Sequence, residues 1–323
     1  MQKALVTGAN GFIGSALSLR LLSDGVSVRA MCRKPSRGAH LAAQGAEVVA
    51  GDLMDLPRLT ELAQGCDVIF NIAAALNGSG SLQYHINVIG TRYVAQAAHA
   101  AGVKRLVHMS SLSYYGLAAD GEIDEDYTPR HVSSDSYGLT KMYGEKALRG
   151  ISDTSGLPIS IIRPGMVYGE GSDFWGKALY RMVKRFGAPR IGRLSSPMHA
   201  IHVDDVVDLT VTLAKHDNAV GYAFNAAPDP APTWDEFLAY FQQISGNYNT
   251  LNVPLSLLQF IAPLAEFGSI MMGNALPVRA YLRFLENRAT YSMRRARERL
   301  AWQPRLTLEE GMRRTEAWLK QLA

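Results

Sequence analysis

The sequence predicts an α/β protein: a doubly wound parallel sheet with a smaller, mostly α-helical C-terminal part. Three observations carry this prediction. Short apolar runs alternate with longer stretches of helical period through the first half of the chain, the pattern of βαβ units. The runs are nearly all apolar, as strands covered on both faces by helices must be. The first run passes through a glycine-spaced turn straight into a helical stretch.

Taken in order, residues 3–7 form the first expected strand. Residues 12–22 have helical spacing and stop near Asp24-Gly25. The second strand is expected over 26–31, the third over 47–50 leading into Gly51-Asp52, the fourth over 67–73 and the fifth over 105–110. Between the last two, 88–101 has helical period and ends at Gly102, and a further helical segment runs over 137–148. A sixth strand over 159–163 is broken by Pro164-Gly165. Beyond it the alternation weakens. Pro228, Pro230 and Pro232 mark an irregular stretch before a helix near Thr233, where Thr233-Trp234-Asp235-Glu236 is a capping-box pattern. The expected division is 1–165, with 199–227 returning to it, and a second part made of 166–198 and 228–323.

The chain of 323 residues is long enough for two substantial cores. With 47% apolar and 19% charged residues it has the composition of a soluble globular protein. The cationic excess, 33 − 29 = 4, is too small to imply a nucleic-acid partner. Arg294, Arg295, Arg297 and Arg299 read as a solvated helix face. Two cysteines, Cys32 and Cys66, support neither a disulfide framework nor a zinc site. The most apolar stretch, 255–276, is interrupted by Pro263, Glu266 and Gly273, short of the ~18 apolar residues of a membrane span. The opening Met1-Gln2-Lys3 enters a strand without a leader pattern, so the expected compartment is the cytoplasm.

Gly8, Gly11 and Gly14 sit between the first strand and the first helix. Glycine permits a tight turn and lets backbone N–H groups and a helix N-terminus approach a pyrophosphate. At the end of the second strand a carboxylate would accept from a ribose 2′-hydroxyl, whereas a cation would pair with a 2′-phosphate. The segment 28–37 contains no carboxylate. It places Arg33, with Lys34 and Arg37 in support, where a charge-assisted phosphate contact is expected. The cofactor expected is therefore NADP, with NAD the alternative.

Thr7-Gly8-Ala9-Asn10-Gly11-Phe12-Ile13-Gly14 resembles the TGxxGxxG motif of the extended short-chain dehydrogenase/reductases. The likeness extends along nearly the whole chain. It takes in Asn71-Ile72-Ala73-Ala74, Asn87-Val88-Ile89-Gly90-Thr91, Arg163-Pro164-Gly165-Met166-Val167-Tyr168-Gly169, His202-Val203-Asp204-Asp205-Val206 and Arg299-Leu300-Ala301-Trp302-Gln303-Pro304. The resemblance implies a Rossmann sheet, a cleft between it and a substrate domain, and a homodimer built on the helices near 91–101 and 137–148. It carries cofactor contacts to Asn10, Phe12 and Ile13 in the turn, to Asp52 and Leu53 near the adenine, and to Ala73 and Pro164.

Tyr-x-x-x-Lys occurs twice, at Tyr137/Lys141 and Tyr180/Lys184. Only the first follows the fifth strand, whose end carries Ser111; Tyr180 is expected on a helix of the second part. Residues four apart share a helix face, so the Lys141 ammonium can favour the Tyr137 phenolate, starting from ~10, for proton exchange with a substrate oxygen. Ser111 would donate to that oxygen. Ser110 is adjacent, but aligning Tyr115-Gly116 with the family's VYG places the catalytic hydroxyl at Ser111. By resemblance Lys141, with Tyr137, also binds the nicotinamide ribose. His199, His202, Asp204 and Asp205 are metal ligands by type. The expected reading is instead a helix start at His202–Asp205, with Asp204 or Asp205 satisfying backbone N–H groups.

Among the extended enzymes, sugar dehydratases carry Thr-Asp-Glu where this chain has Ser111-Leu112-Ser113. Sugar epimerases usually carry a pyrophosphate-holding arginine four residues before the motif histidine, where this chain has Met198; Arg190 or Arg193 could replace it. The C-terminal segment is closer to the 3β-hydroxysteroid dehydrogenase-like and dihydroflavonol reductase-like branches. The expected reaction interconverts a carbonyl and a secondary alcohol on a small, fairly apolar substrate, the apolar stretch 255–272 serving it unless that stretch is core or a dimer contact. The alternatives are a nucleotide-sugar epimerase with tightly bound NAD(P) and a non-catalytic NADP-binding regulator.

Overall fold

The computed structural model describes residues 1–323 except 117, 119, 131–134, 192–194, 272–277, 280, 281, 283, 284, 286, 322 and 323. In chain order its strands are β1 (Lys3–Thr7), β2 (Ser27–Cys32), β3 (Glu47–Ala50), β4 (Val68–Asn71), β5 (Arg105–Met109), β6 (Gly121–Ile123), β7 (Ile159–Pro164), β8 (Met166–Tyr168), β9 (Ala188–Ile191), β10 (Ala200–His202), β11 (Ala223–Ala226), β12 (Thr250–Val253) and β13 (Ala289–Tyr291). The helices used below are α1 (Phe12–Ser23), α2 (Ala39–Ala42), α3 (Leu56–Ala63), α4 (Gly80–Tyr84), α5 (Thr91–Ala100), α6 (Ser136–Ser155), α7 (Leu179–Phe186), α8 (Val203–Lys215), α9 (Trp234–Ser245) and α10 (Leu255–Met271).

Seven strands form one all-parallel sheet in the order β3-β2-β1-β4-β5-β7-β11. The strand order reverses between β1 and β4, which opens a crevice at the carboxyl edge of the sheet, where this kind of fold binds ligands. The six strands expected from the sequence are its first six members. The seventh, β11, was legible only as part of the returning segment 199–227. Ala4, Val6, Val28, Phe70, Val107 and Ile162 point to one face, under α1 and α8. Leu5, Ile69, Leu106, Ile159 and Ile161 point to the other, under α3, α5 and α6. This two-sided burial is why the strand runs are apolar throughout.

A third cluster lies beyond β7 and joins segments distant in sequence. Met166, Tyr168, Tyr180, Val183, Met198, Trp234, Phe237, Phe241, Met312 and Leu319 are buried together. Tyr180 is thus core on α7, with Lys184 Nζ 5.7 Å from its ring centre. α9 starts at the expected capping box: Thr233 Oγ1 accepts from Glu236 N, and the Glu236 carboxylate accepts from Thr233 N.

Two expectations need correction, the core alternative for 255–272 and the solvated arginines. Pro263 does not break α10, which runs through it. Nor is α10 core: of residues 255–269 only Ala262 and Ser269 are buried, while Met272 and the rest of that stretch to 276 lie outside the described residues. The four arginines near 297 are not simply solvated. Arg295 is largely buried and pairs with Asp126 at 2.6 Å, Arg297 pairs with Asp229 at 3.0 Å, and Arg299 stacks over Tyr222 at 3.7 Å. Short carboxylate-bearing segments fold onto that face, which a one-dimensional charge pattern does not reveal.

Candidate active site

The turn between β1 and α1 is fixed by contacts that exclude side chains. Gly8 has φ +65°, and a Cβ on it would stand 2.8 Å from Ala73 Cα, so the end of β4 packs directly on the turn. A Cβ on Gly14 would fall 2.2 Å from Gly8 O. Gly11 N donates to Gly8 O at 2.9 Å, and Gly11 caps α1 without a side chain. The first N–H groups of a twelve-residue helix are therefore left for a ligand, at its positive end. Thr7 Oγ1 accepts from Ile72 N and Ala73 N at 3.1 and 3.2 Å and donates to Asn71 Oδ1, which locks the ends of β1 and β4 together. Phe12 and Ile13 are half-buried at the start of α1.

Past the end of β2, Arg33, Lys34 and Arg37 are exposed. With Asn10 they line a cavity of about 350 Å³. Among the described residues none of the three cations has a carboxylate within ion-pair distance, so the cavity presents uncompensated positive charge. At the end of β3, the Asp52 carboxylate accepts from Met54 N at 2.9 Å. Leu53 is buried, and a Cβ on Gly90 would stand 3.0 Å from Leu53 Cβ.

The second group of residues lies where β5 ends. Ser111 Oγ accepts from Ser113 N at 3.1 Å, capping the short helical turn Leu112–Tyr115, and its own proton remains available to donate. Ser110 is buried with its Oγ unpartnered among the described residues, whereas Ser111 is half-buried. Asp135 caps α6 by accepting from Gly138 N at 2.9 Å. A Cβ on Gly138 would stand 2.4 Å from Ser113 O, so the turn carrying Ser111 presses on the helix turn carrying Tyr137. One turn on, Lys141 is buried and its Nζ donates to Met109 O, the last carbonyl of β5, at 2.7 Å. Burial pushes its pKa down to about 8, against the upward pull of Glu145. Ser111, Tyr137 and Lys141 are thus gathered at the carboxyl edge of the sheet, on the same side as the glycine turn. Pro164, buried at the end of β7, is paired in register with Ala226.

Sequence reasoning named two supports of this group only as family marks. Residues 85–90 form a π-helical turn ahead of α5, and it aims Asn87 into the site. Asn87 accepts from Ala75 N at 2.8 Å and donates to Thr140 Oγ1 at 3.0 Å, next to Lys141. Behind Lys141, Glu145 and Arg163 form a fully buried two-pronged pair at 2.9 and 2.7 Å. Arg163 Nη1 also donates to Tyr115 Oη at 2.8 Å, and Tyr115 Oη donates to Asn225 Oδ1 at 2.6 Å. Burial works against the Arg163 charge, but Glu145 and Tyr115 raise its pKa. Glu145 stands four residues past Lys141, on the same helix face, which was the available signal.

His202, not an aspartate, caps α8, its Nδ1 accepting from Asp204 N at 3.2 Å. Asp205 instead accepts from Arg305 N and Leu306 N, tying down the distant chain. His199 Nε2 faces Ala289 O at 2.9 Å. Asp204 accepts from Arg314 Nη1 at 2.9 Å and stands 3.6 Å from His202 Nδ1. Met198 is wholly buried in the third cluster, Arg190 stands 3.7 Å from Asp235, and Arg193 lies outside the described residues.

The sheet order, the glycine turn and the crevice define a Rossmann-type dinucleotide fold. The chain belongs to the NAD-dependent epimerase/dehydratase family, whose model matches residues 4–227, and so to the NAD(P)-dependent enzymes of the extended short-chain type. It is 30% identical over 336 residues to a UDP-glucose 4-epimerase of Mycolicibacterium smegmatis, covering 97% of each chain. It is 29% identical over 291 residues to 3beta-hydroxysteroid-dehydrogenase/decarboxylase isoform 1 of Arabidopsis thaliana, covering 83% of this chain and 66%, just under two thirds, of that protein. The structure of a UDP-glucose 4-epimerase with UDP-glucose from Thermotoga maritima superposes with a TM-score of 0.81 over 99% of both chains at 20% identity, a likeness of fold.

Proposed function

We propose that this protein is an NADP(H)-dependent oxidoreductase that interconverts a carbonyl and a secondary alcohol on a small, fairly apolar substrate, with Tyr137 as the acid/base group. The observation that carries the reading is Lys141: a buried ammonium, anchored on the last carbonyl of β5 and one helical turn from Tyr137. A cation held there favours the phenolate and fixes where it stands. Ser111, with its lone pair engaged by Ser113 N, donates to the substrate oxygen.

The residues fit a dinucleotide. A Cβ on Gly8 or Gly14 would collide with backbone, one on Gly11 would stand 3.2 Å from Gly8 O, and α1 opens here without a side-chain cap, which suits a pyrophosphate. The cavity of Asn10, Arg33, Lys34 and Arg37 suits a 2′-phosphate. Asp52 and Leu53 lie at the adenine end, and Ala73, Tyr137, Lys141 and Pro164 at the nicotinamide end. When bound, the nicotinamide supplies or accepts the hydride. Segments 166–198 and 228–323 form the substrate-binding part, and two copies pair through α5 and α6.

An apolar substrate is favoured by the burial of Met198 at the position where sugar epimerases usually carry their arginine, and by the likeness to a steroid dehydrogenase/decarboxylase. The likeness to the mycobacterial UDP-glucose 4-epimerase favours a second reading, an epimerase that retains NAD. Fluorescence titration with NADPH and NADH separates them. The expected result is tighter binding of NADPH, with Arg33→Ala weakening NADPH roughly 10- to 100-fold, as loss of a charged hydrogen bond does, and leaving NADH unchanged. Undiminished NADPH preference in Arg33→Ala refutes the phosphate assignment. Preference for NADH, or an NAD that co-purifies and does not exchange, moves the epimerase reading to first place.

A further inference from the structure

The least expected surface of the molecule is α10. Leu257, Phe260, Ile261, Leu264 and Phe267 fall on one stripe at helical spacing and face solvent, with Phe260 78%, Leu264 72% and Phe267 64% exposed. On the opposite stripe Ala262 and Ser269 are buried, while Glu266 is paired with Arg279 at 2.7 Å. An aqueous surface does not leave such a stripe bare without a partner for it.

The surroundings indicate which partner. From Phe237 to Ala265 the chain carries no charged residue. The strand that leads into α10, β12, pairs with β9, which follows α7. At their shared end, Asn247 Nδ2 donates to the carbonyls of Val183 and Lys184, and Ala188 N donates to Asn249 O. Phe186 and Tyr248, both exposed, belong to the two segments joined at this end. Arg181, Lys184 and Arg185 on α7 are exposed and form no ion pair among the described residues. The whole chain carries a net charge of +4. An apolar helix whose one carboxylate, Glu266, is paired, joined through β12 to a corner of unpaired cations and exposed aromatic rings, matches the interfacial zone of an anionic bilayer. A second copy on the same stripe would bring like charges together. Among the described residues no helix is long and apolar enough to cross a bilayer, and the stripe of α10 suits a helix lying along one.

We infer that α10, flanked by the Lys184–Phe186 corner, docks this protein onto anionic lipid surfaces. The inference does not depend on the reaction proposed above, and its test reads lipid binding alone. The intact protein would be sedimented with phosphatidylcholine vesicles containing about a third phosphatidylglycerol, and with pure phosphatidylcholine. Association with the anionic vesicles is expected, falling at least about tenfold in the Phe260→Glu, Leu264→Glu double variant, because both side chains leave the lipid. Lys184→Glu with Arg185→Glu should weaken binding to anionic vesicles and not to neutral ones. Unchanged NADPH binding and thermal midpoint serve as the folding controls. Absence of binding to either vesicle overturns the inference. So does a wild-type dimer that the Phe260→Glu, Leu264→Glu variant splits into monomers while vesicles bind neither form, since a second copy would then be the occupant.

Discussion

Removing the charge of Glu145 tests how the buried pair behind Lys141 is held. Arg163 and Glu145 meet through two parallel hydrogen bonds at 2.9 and 2.7 Å, with side chains 2% and 1% exposed. Arg313 and Glu310 make the same fork at 2.9 and 2.9 Å, with side chains 68% and 36% exposed. The two pairs share geometry and differ in solvent. In Glu145→Gln the shape remains, but Arg163 keeps its charge among Tyr115 Oη and Glu125 O, while an amide N–H group confronts one of its own. Stranding a buried charge in this way costs about 3–5 kcal/mol, a large share of a typical stability of roughly 5–15 kcal/mol. Urea unfolding followed by tryptophan fluorescence should show a clear fall in midpoint for Glu145→Gln and no measurable change for Glu310→Gln. A second readout is specific to the site: without Glu145 the Lys141 pKa drops further below about 8, so the alkaline fall in turnover should move to lower pH. Equal midpoints for the two variants, or a loss under about 1 kcal/mol for Glu145→Gln, would refute the reasoning that burial decides the outcome.

Tyr137→Phe keeps the ring and removes the proton. Turnover should fall about 10²- to 10⁴-fold while NADPH affinity changes little, and full activity in that variant would remove Tyr137 from its role. Acid should destabilise the fold through two buried histidines. Burial lowers the His199 pKa to about 4, against its bond to Ala289 O, and lowers that of His108 well below the usual range, with Lys141 adding to the effect. The unfolded chain then takes up protons first. Stability is complete above the ordinary value of ~6.5 and declines as pH falls toward 4, by up to about 1.4 kcal/mol per histidine per pH unit. His199→Gln should flatten part of that slope in pH-dependent urea unfolding; an unchanged slope would exclude His199 as a source.

The sheet was legible because its physics is local and repetitive. A strand buried on both faces must be apolar along its length, and a glycine turn must lie between strand and helix for Gly14 to pass Gly8 O. The start of α9 was equally plain, because Thr233 and Glu236 satisfy each other within four residues. What escaped depends on partners that arrive from elsewhere. β11 is only four residues long and owes its register to β7. α8 begins at Val203, which makes His202 its cap and leaves Asp205 to accept from the backbone of Arg305 and Leu306, a hundred residues on. At the site, Ser111, Tyr137 and Lys141 could be marked out by motif and context. The Glu145–Arg163–Tyr115–Asn225 chain joins four segments, and no spacing rule connects them.

The late arrival of β11 has a consequence for synthesis of the chain. Ile161 N donates to Tyr222 O and Gly165 N to Ala226 O, so β7 becomes an interior strand only when residues near 226 have been made. Ribosomes add roughly 5–20 residues per second, which leaves an apolar strand edge uncovered for several seconds in every molecule produced. An open edge of that kind recruits other strands. Slow codons between residues 164 and 226 would prolong the exposure of that edge, whereas the same codons placed after 226 would not.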